Sequence, residues 1–283
     1  MKKMMIKDTF STTSSKFQQK AYGNGILDPT TSKPPQDLST IQHHLTQRRT
    51  STQPSEHSHQ QYCKGISDLY NEAGVSFLIQ AEIMKRYYGS DPQYGRAHGR
   101  AITQVPEEDF NNGLSNPLPN ILEGLKTRVL PSHLQSHSLH SSDRSLTFCH
   151  FTTEFKRTDG NFKQAVSQAA YDGATLFSAR DRALTRAAAI PGRGNDKAAM
   201  ETAVLTCVTD GKVAEVFAHH SQNGQYHQNL VARESLLSYP NRGRELIRNT
   251  QDYARSKSYE LAALLGADLE EQKQESKGTC GLK

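Results

Sequence analysis

The residues most able to do chemistry sit at the end of one short segment, Leu146-Thr-Phe-Cys-His-Phe-Thr-Thr-Glu-Phe-Lys156. It is rich in aromatic and β-branched residues, bounded by turn residues and closed by Asp159-Gly160, and it reads as the best strand in the chain. In a strand, residues two apart share a face. That places His150, Thr152, Glu154 and Lys156 together, and Cys149, Phe151, Thr153 and Phe155 opposite. One face is apolar, and the other ends in a carboxylate beside an ammonium. Taken alone, such a pair is an ordinary solvent-side ion pair worth about 0–1 kcal/mol.

Two further segments flank this strand. Upstream stands Pro117-Leu-Pro-Asn-Ile-Leu-Glu-Gly-Leu125, and downstream Asn161-Phe-Lys-Gln-Ala-Val-Ser-Gln-Ala-Ala-Tyr-Asp-Gly-Ala174. In that order, the three elements resemble the PD-(D/E)xK nuclease-like superfamily. The likeness is greatest to its fungal members of unknown function, which pair a P-x-P-D element with a strand ending in E-x-K and a Gln-bearing, Ala-rich helix. It covers about residues 63–269. The resemblance implies a restriction-endonuclease-like core, with Glu154 as an acidic metal ligand and Lys156 as the catalytic lysine. Asn120 stands where the family has its Asp, and Gln168, with Gln164 or Tyr171, lines the same cleft. The implied cofactor is Mg²⁺ or Mn²⁺ and the implied partner DNA. A hard cation polarises a phosphate and acidifies a water, and a nearby lysine orients that water or neutralises developing charge.

The departure at position 120 matters. An amide oxygen can ligate Mg²⁺ but brings no charge. Three acids are candidates to replace it. Asp143 lies eleven residues before Glu154 in a loop, and Glu72 lies on the first helix. Glu123, three residues past Asn120, should face the opposite side of a regular strand. A weakened site leaves two expectations: a metal-dependent nuclease, or a catalytically inactive regulatory, interaction or virulence-associated protein that keeps the fold for binding a DNA or protein partner.

Other patterns offer less. Arg180, Arg182, Arg186, Arg193 and Lys197 could contact phosphates, but they also suit a solvated helix end. His219, His220 and His227 read as polar residues at a sheet edge. Cys149 reads as core. Gly192-x-Gly194 follows a helix and lacks the third glycine of a dinucleotide fingerprint. No G-x-S-x-G, P-loop or H-E-x-x-H occurs.

The elements that must position these residues follow from periodicity. Ile66–Tyr88 reads as one helix with Leu69, Ala73, Phe77, Ala81 and Met84 inward. Residues 91–115 read as an excursion and 130–145 as a loop. Residues 118–129 are extended, since Pro117 and Pro119 disfavour a helix start. A helix capped by Asn161 runs to about residue 188, and the loop 191–195 follows. Strands at 203–209 and 213–219 join across Asp210-Gly211 as a hairpin. A strand at 228–233 and an amphipathic helix over 244–265 complete an α/β fold with a central mixed sheet flanked by helices.

Composition supplies the outer bounds. Only 35% of the 283 residues are hydrophobic, there is no Trp, and the mean hydropathy is −0.71. Residues 1–62, dominated by Ser, Thr, Gln, His and Pro, read as a disordered tail, and 270–283 as a polar tail. The tail at 1–62 holds eight Lys/Arg against four Asp/Glu, most of the chain's net +5. The near-neutral body is not built to coat nucleic acid. Cys63, Cys149, Cys207 and Cys280 lie far apart, which argues against a disulfide scaffold. No apolar run approaches a membrane span and Met1–Ser15 lacks an apolar signal core, so an intracellular site, cytoplasmic or nuclear, is expected.

Overall fold

In the computed structural model, residues 10–49, 54–87, 91–103, 109–132, 144–188, 204–237 and 240–266 are described. The elements in chain order are α1 (Phe17–Gly23), α2 (Leu38–Thr46), α3 (Glu56–Asp68), α4 (Glu72–Glu82), β1 (Tyr94–His98) and β2 (Ile121–Lys126). Then come β3 (Leu146–Phe155), α5 (Phe162–Ala188), β4 (Val204–Thr209), β5 (Val213–Gln222), β6 (Gln225–Ser235) and α6 (Pro240–Leu264). The strands form one sheet in the order β1-β2-β3-β4-β5-β6. Only β3 and β4 are parallel, and the other neighbours are antiparallel. A parallel pair needs a crossover connection, and α5 lies within it.

Both faces of the sheet are covered. Phe151, Phe155, Leu205, Cys207, Val216 and Ala218 pack against buried side chains of α2, α3, α4 and α6. On the other face, Val208 and Phe217 meet Ala165 and Ala169 of α5, while Leu122, Cys149 and Val204 meet Leu176 and Phe177. The small residues of α5 allow close approach. At Gly173 an added Cβ would run into the His219 ring. All ten residues of β3 are buried. The mixed sheet with flanking helices is therefore as the sequence predicts.

Four expectations need correction. First, residues 10–49 and 54–62 are not a disordered tail. Ile41 and Leu45 are fully buried in the main core, and Phe17, Ala21 and Ile26 pack on Phe110, Leu114, Ala170 and Tyr171. Long-range bonds tie the segment down, such as Leu27 N–H to Tyr226 O at 2.9 Å and Gln228 N–H to Ser32 Oγ at 2.9 Å. Its few apolar residues build no core of their own and instead complete one supplied by the rest of the chain. Second, the helix expected over 66–88 is two. Asn71 caps α4, its Oδ1 accepting the Gly74 N–H at 2.7 Å. The restart resets the phase, so Val75 and Ile79 face inward while Phe77 is 74% exposed.

Third, the excursion at 91–115 contains β1, an edge strand whose Tyr94 and Ala97 are buried. Fourth, β3 does not alternate throughout. Phe148 adopts φ 47°, and the β2–β3 register shifts between Glu123 and Leu125. This bulge takes His150 off the Glu154 face and sets its Nδ1 3.1 Å from Ser258 Oγ on α6. Asp143, Arg193, Lys197, the loop 191–195 and the tail 270–283 lie outside the described residues.

Candidate functional site

Glu154 stands near the end of β3 and points at α5, where Asp172 meets it with the two carboxyls in hydrogen-bond contact. Both are buried, at 3% and 1% exposure. Burial, and then the neighbouring Asp172, drive the Glu154 carboxyl well above its ordinary range. Burial pushes Asp172 up to about 7, against the pull of Glu154 and Lys156. Two acids in contact away from water cannot both ionise cheaply, so the pair keeps a proton near neutral pH.

The same strand and helix carry oxygen acceptors without donors. Asp172 Oδ2, Gln168 Oε1 and Thr152 Oγ1 are buried and make no hydrogen bond. Gln168 and Asp172 are four residues apart on α5 and therefore share a helix face. Thr152 and Glu154 share a strand face. Among the described residues no three His, Cys, Asp or Glu side chains gather as a metal cluster. The donor set here is two carboxylates supplemented by neutral oxygens.

Lys156 follows directly. Its backbone N–H bonds Thr209 O at 2.9 Å, and its Nζ lies 3.4 Å from Glu72 Oε2 in the first turn of α4. Asn120 is committed twice. Its Oδ1 accepts the Phe155 N–H at 2.7 Å, and its Nδ2 donates to Glu72 Oε1 at 3.0 Å. Asn120 thus fastens the start of β2 to the end of β3 and holds Glu72. Glu72 lies beside the lysine and adds negative charge toward Glu154.

Gln168 and Gln164 reach the N-terminal segment. Gln168 Nε2 donates to Thr12 Oγ1 at 3.1 Å and Gln164 Nε2 to Thr12 O at 3.4 Å. Tyr171 OH donates to Ser115 O at 2.8 Å. Residues 10–15 therefore lie along the α5 side of the site, beside the segment 113–115 to which Phe10 is bonded.

The structure brings Glu154, Lys156, Asn120 and Glu72 to one region, with Gln168 one helical turn before Asp172 on α5. Glu123 faces the other side, as expected. It is fully buried, with Arg96 Nη2 at 2.6 Å and Gln251 Nε2 at 2.8 Å. Asp172 is the residue that sequence reading missed. The signal was present: an acid in the inward stripe of an Ala-rich helix, one turn after Gln168. Arg180 is no solvated helix-end residue, being only 3% exposed. His219 is not at a sheet edge but buried in β5, with Nε2 2.9 Å from Thr206 Oγ1. Burial pushes the Cys149 thiol up, in keeping with a core role.

What the fold and site define is an α/β protein with an acid pair and a lysine at the end of its central strand. No family model matches the chain, and no curated protein matches it. None of the described helices is long and apolar enough to cross a membrane.

Proposed function

We propose that this chain is a nuclease-like protein of the PD-(D/E)xK superfamily, in which Glu154 and Asp172 hold a divalent cation for hydrolysis of a DNA phosphodiester. One observation carries the reading: Asp172 lies against Glu154 and brings the second carboxyl group that Asn120 lacks. The residues fit a hard cation. Every side-chain donor at the pair is oxygen, and Asp172 Oδ2 and Gln168 Oε1 are buried acceptors with nothing to accept. When bound, Mg²⁺ or Mn²⁺ supplies polarisation of the phosphate and a more acidic water.

The chain's own residues do the rest. Glu154 and Asp172 would hold the cation as carboxylates, their shared proton passing to solvent. Lys156 exchanges Glu72 for a phosphate oxygen and offsets charge developing there. Asn120 positions Glu72, and so acts through it. The test is calorimetric titration of Mn²⁺ and Mg²⁺ in two buffers of different ionisation enthalpy, with a cleavage assay on single- and double-stranded DNA. We expect binding that releases about one proton, cleavage by the native protein, and loss of both in Asp172→Asn. Absence of both binding and cleavage in the native protein overturns the proposal.

A second reading has its own support. Both functions of the Asn120 amide are engaged, and Gln164 and Gln168 are bonded to Thr12. Those contacts suit a fold kept for binding a DNA or protein partner. DNA retention in a gel shift without cation binding or cleavage selects it.

A further inference from the structure

The start of β3 meets α5 and α6 around a small, partly open cavity that the acid pair does not use. Its walls include Ile102, Leu122, Phe148, Leu176 and Leu261, and its polar lining comes from His150 and Arg180. Arg180 is 3% exposed, and its Nε and Nη2 make no hydrogen bond. The guanidinium lies over the Phe177 ring, 5.8 Å from its carbon to the centroid. Among the described residues no carboxylate forms an ion pair with it. Burial lowers its pKa to about 10, so it is still a cation at neutral pH.

Asp181, Asp37 and Glu260 act on Arg180 only from beyond ion-pair distance. A buried guanidinium with no carboxylate in contact is costly, by several kcal/mol, and buried charges are normally paired. His150 donates Nδ1–H to Phe148 O at 2.8 Å, which leaves Nε2 as a bare acceptor, also without a partner. The cavity therefore offers one full positive charge with free N–H groups, and one lone pair. Its volume is about 20 Å³, room for an ion and at most one water. A phosphate or nucleotide is too large. The aliphatic walls disfavour a strongly hydrated guest.

We propose that this cavity binds a small monovalent anion of the halide class, held by Arg180, with a water between the anion and His150 Nε2. The anion supplies a counter-charge in contact with the guanidinium, and the water donates to the nitrogen that has no partner. Binding to the folded state alone stabilises it in proportion to the logarithm of anion concentration above the dissociation constant.

The experiment is thermal unfolding of the full chain in sodium chloride, bromide and gluconate at equal ionic strength, with bromide anomalous diffraction from native crystals. We expect the melting temperature to rise with chloride and bromide but not with gluconate, which the cavity cannot admit. A bromide peak should lie against Arg180. In Arg180→Met, whose side chain fills similar space without charge, the difference between chloride and gluconate should vanish. If that variant fails to fold, the native comparison and the diffraction peak still decide. Equal melting in chloride and gluconate, or density showing only water or a carboxylate of the chain against Arg180, overturns the proposal.

Discussion

Replacing Asp172 by Asn tests the acid pair without altering its shape. In the native fold the Asp172 carboxyl moves from an ordinary 3.8 to about 7, chiefly by burial. At ~1.4 kcal/mol per tenfold change in proton affinity, that displacement corresponds to about 4 kcal/mol. The sign is fixed by proton counting. Between the two values the folded protein binds more protons than the unfolded chain, so stability falls as pH rises. It is intact below about 3.8 and lost as pH passes 7. Glu154 shifts in the same direction and shares the proton, so removing one acid relieves about 2–4 kcal/mol of this cost. Asn also supplies an N–H to Glu154. We therefore expect Asp172→Asn to be more stable than the native protein at pH 8 by about 2–4 kcal/mol and nearly equal at pH 4. Urea denaturation at both values, with a check that the m-value is unchanged, measures it. A variant equally destabilised at both pH values, with the native pH slope retained, would show that the pair is not a strained acid site.

Other expectations follow from the same contacts. Asn120→Asp exchanges the amide for a carboxylate at the start of β2. Here it removes the donor to Glu72 and sets two carboxylates together, so denaturation should show a loss of about 1–3 kcal/mol. That loss should be larger at pH 8 than at pH 4. Leu45→Ala should cost about 2–5 kcal/mol because Leu45 is fully buried in the main core; a midpoint unchanged from native would place residues 38–46 outside the cooperative fold. Gly173→Ala drives a methyl into the buried His219 ring and should cost about 1–3 kcal/mol, read as a lowered melting temperature.

Elements with local signals were legible in the chain. Leu146–Phe155 is aromatic and β-branched, Asp210-Gly211 marks a hairpin, and the Ala-rich stripe after Asn161 has helical period. All three appear where expected, because each signal acts within a few residues. The position of Glu154 two residues before Lys156 was equally legible. The remainder depended on how distant segments dock. Residues 10–49 have too few apolar side chains to fold alone, yet Phe17, Ile41 and Leu45 fill gaps in a core assembled from distant segments. No window of sequence records those gaps. β1 exists because β2 offers it an edge. His150 changed face through a bulge that depends on pairing with β2. Asp172 became part of the site only when α5 packed across β3, since an acid on a helix gains a raised pKa from the group it meets and the water it loses. Periodicity shows which side of an element turns inward, but which residues meet there depends on how separate elements dock.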